Sequence, residues 1–266
     1  MSAPISAPSL PNLDRRGPAA GGFNPTLLKL EVRRLLRNKR TALFSILLPV
    51  AFYIIFGLLQ NYGDERYGTG NVSAYIAISM ALYGSALATT AGGGMVSIER
   101  AQGWSRQLRL TPLSPVAYIL LKAITAMTLG LASVLAVYIV ALVTGKASMP
   151  VSAWIISGLT VWIGSLIFAA FGLFMGYLLP TENVMQLLSF VLVMFAFAGG
   201  LFIPITRGSG FDHFAQFTPM YGINYLGRAA LQGTPFSWVW IVNAVVWLAI
   251  FVAGAVWRFR KDTARV

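Results

Sequence analysis

Long apolar runs alternate along this chain with short polar segments marked by Pro and Gly. The runs predict six membrane-spanning helices, at about residues 41–60, 72–97, 115–144, 153–179, 184–205 and 237–257. Each reaches the roughly 20 residues that a helix needs to cross a bilayer. Pro49 is expected to kink the first of them. The second is crowded with small residues: Ala81, Ser85, Thr89 and Gly93 lie on one stripe, and Gly84, Ala88 and Gly92 on the next. Small residues at four-residue spacing let helix backbones approach closely in lipid, so this helix is either tightly packed or pore-lining.

The segments between the runs carry their own signals. Residues 1–22 are rich in Pro, Ala, Ser and Gly and lack the apolar run of a secretory signal, so they read as a disordered cytoplasmic tail. Asn24-Pro25 predicts a helix start, Asn as cap and Pro at the first helical position. Over 23–40, Leu28, Val32, Leu35 and Leu36 share one face and Lys29, Arg33, Arg37 and Arg40 another. That pattern predicts an interfacial amphipathic helix with its apolar side in the headgroups; a plain basic flank is the alternative. Between the fifth and sixth runs, the stretch 211–231 carries Asp212, His213 and Arg228 and is broken at Thr218-Pro219. With Phe214, Phe217, Tyr221 and Tyr225 it is expected to dip into the outer leaflet without crossing. Residues 258–266 form a basic cytoplasmic tail.

Composition supports this reading. The chain of 266 residues is 57% hydrophobic and 11% charged, with a mean hydropathy of +0.71. A soluble domain carries about 25% charged residues. The net charge of +12 would suit a nucleic-acid binder, but its distribution argues otherwise. Sixteen Lys and Arg flank hydrophobic ends on one side, against four (Arg66, Lys146, Arg207, Arg228) on the other. This asymmetry is the positive-inside pattern, and it predicts that both termini are cytoplasmic.

Several chemistries are poorly supported. No cysteine is present, which excludes thiol catalysis and thiolate metal sites. No His and carboxylate set has metal-ligand spacing. A phosphate-binding loop needs Gly-Lys followed by Ser or Thr, whereas Gly145-Lys146 is followed by Ala147. The GxSxG hydrolase pattern is missing, and a Ser85–His213 pair would join a deep span to an outer loop. None of the six spans carries an interior ionisable residue, so ion coupling has little to work with.

What remains is a charged, Pro-punctuated island at 98–122, between the second and third spans. Its Thr111-Pro112-Leu113-Ser114-Pro115 ends one helix and starts another. Before it, Trp104 and Leu108 lie one turn apart, with Arg106 and Arg109 elsewhere on the same short helix. This is either a docking element or an ordinary basic loop.

The island resembles a known family. Glu99-Arg100-x-x-Gly103, Leu108-x-x-Thr111-Pro112-Leu113-Ser114 and Lys122 look like the coupling motif of ABC-2 type permeases, the membrane halves of ABC exporters. Arg37-Asn38-Lys39-Arg40 leading to Pro49 is similar to that family's entry into its first helix. Gly199-Gly200-Leu201-Phe202-Ile203-Pro204, with Pro219-Met220-Tyr221 and Arg228, is similar to its fifth-helix end and re-entrant segment. Ala101 stands where a second Glu is usual, and Trp104-Ser105-Arg106 replaces a common Thr-Leu-Glu. These departures put in doubt any salt bridge that the second acid would make to a partner.

The resemblance implies an all-α membrane protein of the cytoplasmic membrane. Its six transmembrane helices would be joined by an N-terminal connecting helix, a cytoplasmic coupling helix between spans 2 and 3, and an outer re-entrant segment. It further implies a permease subunit without catalytic residues or a cofactor of its own, paired with a second permease copy and two ABC ATPase subunits that hold ATP and Mg. Glu99, Arg100, Gly103, Trp104 and Arg106 would couple to the ATPase. Tyr83, Thr89 and Thr90 of span 2 and Phe190, Met194 and Phe197 of span 5 would line the substrate path, each being equally readable as packing or lipid-facing. The expected cargo is an amphipathic or hydrophobic drug-like molecule. The alternatives are a lipid or lipid-linked glycan exporter, an ion-coupled carrier, and a membrane scaffold.

Overall fold

The computed structural model describes residues 22, 24–37, 39–103, 114–180, 184–206 and 208–264. The expected tail at 1–22, apart from Gly22, the coupling helix around Trp104 and Arg106, the turn at 181–183 and the last two residues lie outside them. Among the described residues are ten α-helices: α1 (Pro25–Arg37), α2 (Lys39–Tyr53), α3 (Val72–Ala101), α4 (Pro115–Thr144), α5 (Val151–Gly164), α6 (Leu166–Leu178), α7 (Val184–Ala198), α8 (Gly210–Ala215), α9 (Tyr221–Gln232) and α10 (Trp238–Ala264). A two-stranded antiparallel ribbon, β1 (Arg66–Tyr67) and β2 (Gly70–Asn71), precedes α3.

Four segments are long and apolar enough to cross a membrane: Val72–Ala101, Val116–Thr144, Val151–Leu178 and Trp238–Lys261. The chain is a multi-pass helical membrane protein. The other two expected spans correspond to shorter apolar helices, Leu43–Leu58 and Val184–Ala198. α5 and α6 act as one span, because Ser165 only tightens the chain locally and its hydroxyl turns back to the Trp162 carbonyl at 2.6 Å.

The start of α1 follows the sequence: Asn24 Oδ1 accepts from the Thr26 amide at 2.8 Å. α2 continues as helix past Pro49, and Ile54–Leu58 beyond it widens into a π-helical turn. The fifth expected span ends early, at Ala198 rather than 205. Gly200 takes a positive φ of 73°, a conformation that ends helices and favours Gly. The apolar residues beyond it hid this end from a hydropathy reading.

α3 is the axis of the molecule, with 89% of its apolar window buried. Its small-residue stripes are packing surfaces. A Cβ on Gly84 would lie 2.6 Å from Pro49 Cγ of α2, and one on Gly92 2.8 Å from Ala126 Cβ of α4. One on Gly93 would meet the Ala169 carbonyl of α6 at 2.5 Å, and one on Gly94 would meet Leu188 Cδ1 of α7 at 2.5 Å. Four helices therefore touch α3 through positions that only a missing side chain leaves open.

Polar side chains fasten the remaining contacts. Ser133 Oγ donates to the Ser45 carbonyl at 2.9 Å, Trp162 Nε1 to Met127 O at 3.0 Å, and Tyr53 and Ser73 share a hydroxyl bond of 3.0 Å. Asn71 caps α3: its Oδ1 accepts from the amides of Ala74 and Ser148, while its Nδ2 donates to Lys146 O. Asn71→Ala should cost about 1–2 kcal/mol, the upper end of a helix cap, because it also releases the loop after α4. A melting curve of the detergent-purified protein checks this, and an unchanged midpoint would refute it.

Candidate coupling site at the base of the bundle

The helix ends that flank the island converge on a compact ionic cluster. Lys122 lies two turns inside α4 and is 4% exposed, which corrects the expectation that no span holds an interior ionisable residue. Its Nζ donates to Glu99 Oε1 of α3 and to Glu31 Oε2 of α1, both at 2.6 Å. Arg34 Nη1 of α1 reaches Glu99 Oε1 at 3.1 Å and Glu31 Oε1 at 3.6 Å. Tyr118, one turn before Lys122, donates its hydroxyl to Glu99 Oε2 at 2.7 Å. Two carboxylates thus meet two cations, and the formal charges balance. In a poorly hydrated setting such a balance is what makes four ionised groups tolerable.

Local sequence explains the convergence. Glu31 and Arg34 stand three apart and so share a helix face. Glu99 sits in the last turn of α3, and Ser114 caps α4 by accepting from the Ala117 amide, which points the first turns of α4 back at it. Part of the apolar side of α1 is held by the protein itself: Leu35 is buried against Ala88 and Leu129, while Leu28 and Val32 are half-buried. This corrects the expectation that α1 rests its apolar face in the headgroups. Lys29, Arg33 and Arg37 do face outward.

Neighbouring Arg100 acts on a different element. Its Nη1 donates to the carbonyls of Gly176 and Tyr177 at 3.2 and 2.9 Å, and its guanidinium carbon lies 5.7 Å from the Tyr177 ring centroid. A cation at the carbonyl end of α6 suits the helix dipole. Gly103 then ends this stretch with φ of 77°, a conformation that favours Gly.

The expected coupling residues therefore divide. Glu99, 3% exposed, and half-buried Arg100 both have partners within the bundle. Gly103 is at the free edge. Trp104 and Arg106 lie outside the described residues.

The expected path residues divide as well. Tyr83 is 4% exposed, its ring 5.1 Å from Phe202 and 6.4 Å from Phe52. Thr89 and Thr90 are buried, donating to Ser165 O at 3.1 Å and Phe168 O at 3.4 Å across the α3 contact with α5 and α6. These three are buried in the packing of the single chain. Phe190, Met194 and Phe197 stand on the outside of α7, 62%, 46% and 43% exposed.

Two residues were given too small a part. Lys122 was read only as the end of a motif, and Glu31 not at all. A Glu one turn from Arg34 on an otherwise basic helix was the available signal. Arg228 was expected in an outer loop. It is instead 4% exposed, with Nη1 on Gly200 O at 3.1 Å and Nη2 on Leu201 O at 2.7 Å and on Ser79 Oγ. Asn224 Nδ2 takes Gly199 O at 2.9 Å. The carbonyls freed where α7 ends are thus received by α9, which is about 18 Å long and too short to cross a bilayer core of about 30 Å.

A transport permease of Bacillus subtilis (strain 168), named YvfS, is 26% identical over 240 residues, spanning 88% of this chain and 96% of its own length. The family description "ABC-2 type transporter" matches residues 25–231, from the first residue of α1 to within one residue of the end of α9. That range contains the ionic cluster, the island and the α7–α9 junction. The chain belongs to the ABC-2 type transporter family.

Proposed function

We propose that this chain is the permease half of an ATP-driven exporter, coupled through the island to a separate ABC ATPase. The observation that carries this is the Glu31–Lys122–Glu99–Arg34 cluster. It joins α1 and the two helix ends beside residues 104–113 into one unit, and one of those ends belongs to α3, which touches most of the bundle. A push on the island then moves α3 and α4 together instead of bending a loop. Membership of the family supports an ABC ATPase as the source of that push, and the relative's name supports a transport role.

On this reading Gly103, Trp104 and Arg106 meet the ATPase, while Glu99 and Arg100 hold the island's root. The excess of Lys and Arg at this end makes it the cytoplasmic side, with both termini there and six crossings in all. Two copies of the chain pair with two ATPase subunits. The exposed α7 face with Phe190, Met194 and Phe197 lies along the path between the copies. Met and aromatic side chains suit an adaptable apolar surface, hence an amphipathic or hydrophobic cargo.

Co-expression with a candidate ABC ATPase subunit, followed by reconstitution in liposomes, tests this. Trp104→Ala with Arg106→Glu should reduce co-purified ATPase at least tenfold and leave the melting point of the permease alone. Wild-type association in that variant would remove the docking claim. Transport driven by a proton or sodium gradient without the ATPase would replace the exporter reading with an ion-coupled one.

A further inference from the structure

At the end of the bundle away from the ionic cluster, a pocket of about 420 Å³ opens between the β1–β2 turn, the start of α3, the loop after α7, and α9. Tyr67, Tyr75 and Tyr225 form its aromatic walls, with Arg228 and Thr234 among its polar lining. The Arg228 guanidinium stacks on Tyr75, its carbon 3.9 Å from the ring centroid. Both of its terminal nitrogens are engaged by the α7 end and Ser79, but its Nε–H has no protein acceptor. Among the described residues no carboxylate lies within ion-pairing distance of it. Among the described residues the buried Thr234 hydroxyl likewise lacks a partner, and the buried Tyr75 hydroxyl has no acceptor for its proton, its neighbour Arg228 being a donor only.

A buried cation without a counter-ion, beside two idle hydroxyl donors, is costly unless something anionic completes it. We propose that this pocket binds the phosphate group of an amphipathic phosphate ester, with the tyrosine walls taking its apolar part. The donors select phosphate over carboxylate. The guanidinium fork that would grip a carboxylate in a bidentate pair is occupied by carbonyls. What is left is separate donors on three side chains, which suits the tetrahedral oxygens of a phosphate ester better than the two coplanar oxygens of a carboxylate. The volume falls in the range of small-molecule sites and exceeds what a bare ion fills. This inference stands apart from the coupling reading, since it concerns the opposite end of the molecule and needs no ATPase.

Native mass spectrometry of the purified full chain in detergent provides the test, with phosphatidylglycerol, diacylglycerol of the same chain length, and glycerol 1-phosphate as probes. One phosphatidylglycerol should be retained per chain, at least tenfold more tightly than diacylglycerol. Tyr75→Phe with Thr234→Val, which keeps the shape of the walls, should weaken retention at least fivefold at an unchanged melting point. Arg228→Gln should abolish it, although that variant also loses the bonds to the α7 end, so the hydroxyl pair is the decisive one. Displacement of the lipid by millimolar glycerol 1-phosphate assigns the site to soluble phosphate esters; resistance to it assigns the site to a lipid headgroup. Equal retention of diacylglycerol, or wild-type retention by the hydroxyl variant, overturns the proposal.

Discussion

Lys122→Met should destabilise the folded chain by about 3–5 kcal/mol, the range for removing one partner from a buried ion pair. The size follows from what stays behind. Glu99 and Glu31 are 3% and 9% exposed, and without the ammonium they face each other with only Arg34 between them, itself half in solvent. Tyr118 would still donate to Glu99, but one hydroxyl does not neutralise a carboxylate. Adding Glu99→Gln and Glu31→Gln should recover most of the loss, because the three buried positions are then neutral and can hydrogen-bond, and the Arg34 guanidinium that stays charged is half in solvent. Equilibrium unfolding in detergent separates the cases, and a single-variant cost below about 1 kcal/mol would mean that the cluster is hydrated and screened. ATP-driven transport gives a second readout. If the cluster transmits force, the neutral triple variant stays impaired in transport at near wild-type stability.

Gly172→Ala is the second large effect. The Cβ would fall on the Thr90 backbone carbonyl of α3, with its carbon at 2.9 Å and the Thr90 Cα at 3.0 Å. Backbone cannot rotate out of the way as a side chain can, so α3 and α6 must separate. Overpacking of this kind costs about 1–3 kcal/mol, and the separation also stretches the Thr89 and Thr90 hydroxyl bonds to the facing helix. Gly93→Ala, which meets Ala169 O at 2.5 Å from the other side, should behave alike. The pair of substitutions should cost less than the sum, since one displacement of the helices makes room for both methyl groups. Gly210→Ala, where a Cβ meets nothing within 4 Å, is the control and should stay within about 0.5 kcal/mol. Melting midpoints of the four proteins decide it, and full additivity would mean that the two glycines relieve separate contacts.

What was legible in the sequence was local. The Asn24-Pro25 helix start needs only neighbours in the chain, and it is found as read. The stripes at Gly84, Gly92 and Gly93 gave the right contact type because four-residue spacing is itself a geometric statement. What required the fold was partnership at a distance. Glu99 looked like an exposed docking charge because its counter-charges lie 23 residues on, at Lys122, and far back in α1, at Arg34. Thr89 and Thr90 looked like path residues because a hydroxyl in a span has no visible partner until the facing carbonyls of Ser165 and Phe168 are placed. The end of α7 was misjudged for a different reason. Gly199-Gly200 gave a stop signal that the apolar Leu201-Phe202-Ile203 outvoted in a hydropathy sum.

The self-sufficiency of α3 bears on how the protein is made. This helix leaves the ribosome before α4, α6 and α7, the helices that will fill its glycine grooves. During that interval its serines and threonines must face lipid alone. Two of their hydroxyls have acceptors on the helix itself: Ser79 donates to the Tyr75 carbonyl at 2.7 Å and Thr89 to the Ser85 carbonyl at 2.8 Å, each one turn back. A donor held this way adds little polarity to the helix surface, so α3 can reside in the bilayer as an independent unit and wait. When α6 arrives, the Thr89 hydroxyl is shared onward with Ser165 O. The birth order of the helices thus needs no chaperoned cavity for the most polar of the long spans, only hydroxyls that begin as their own helix's business and become the next helix's anchor.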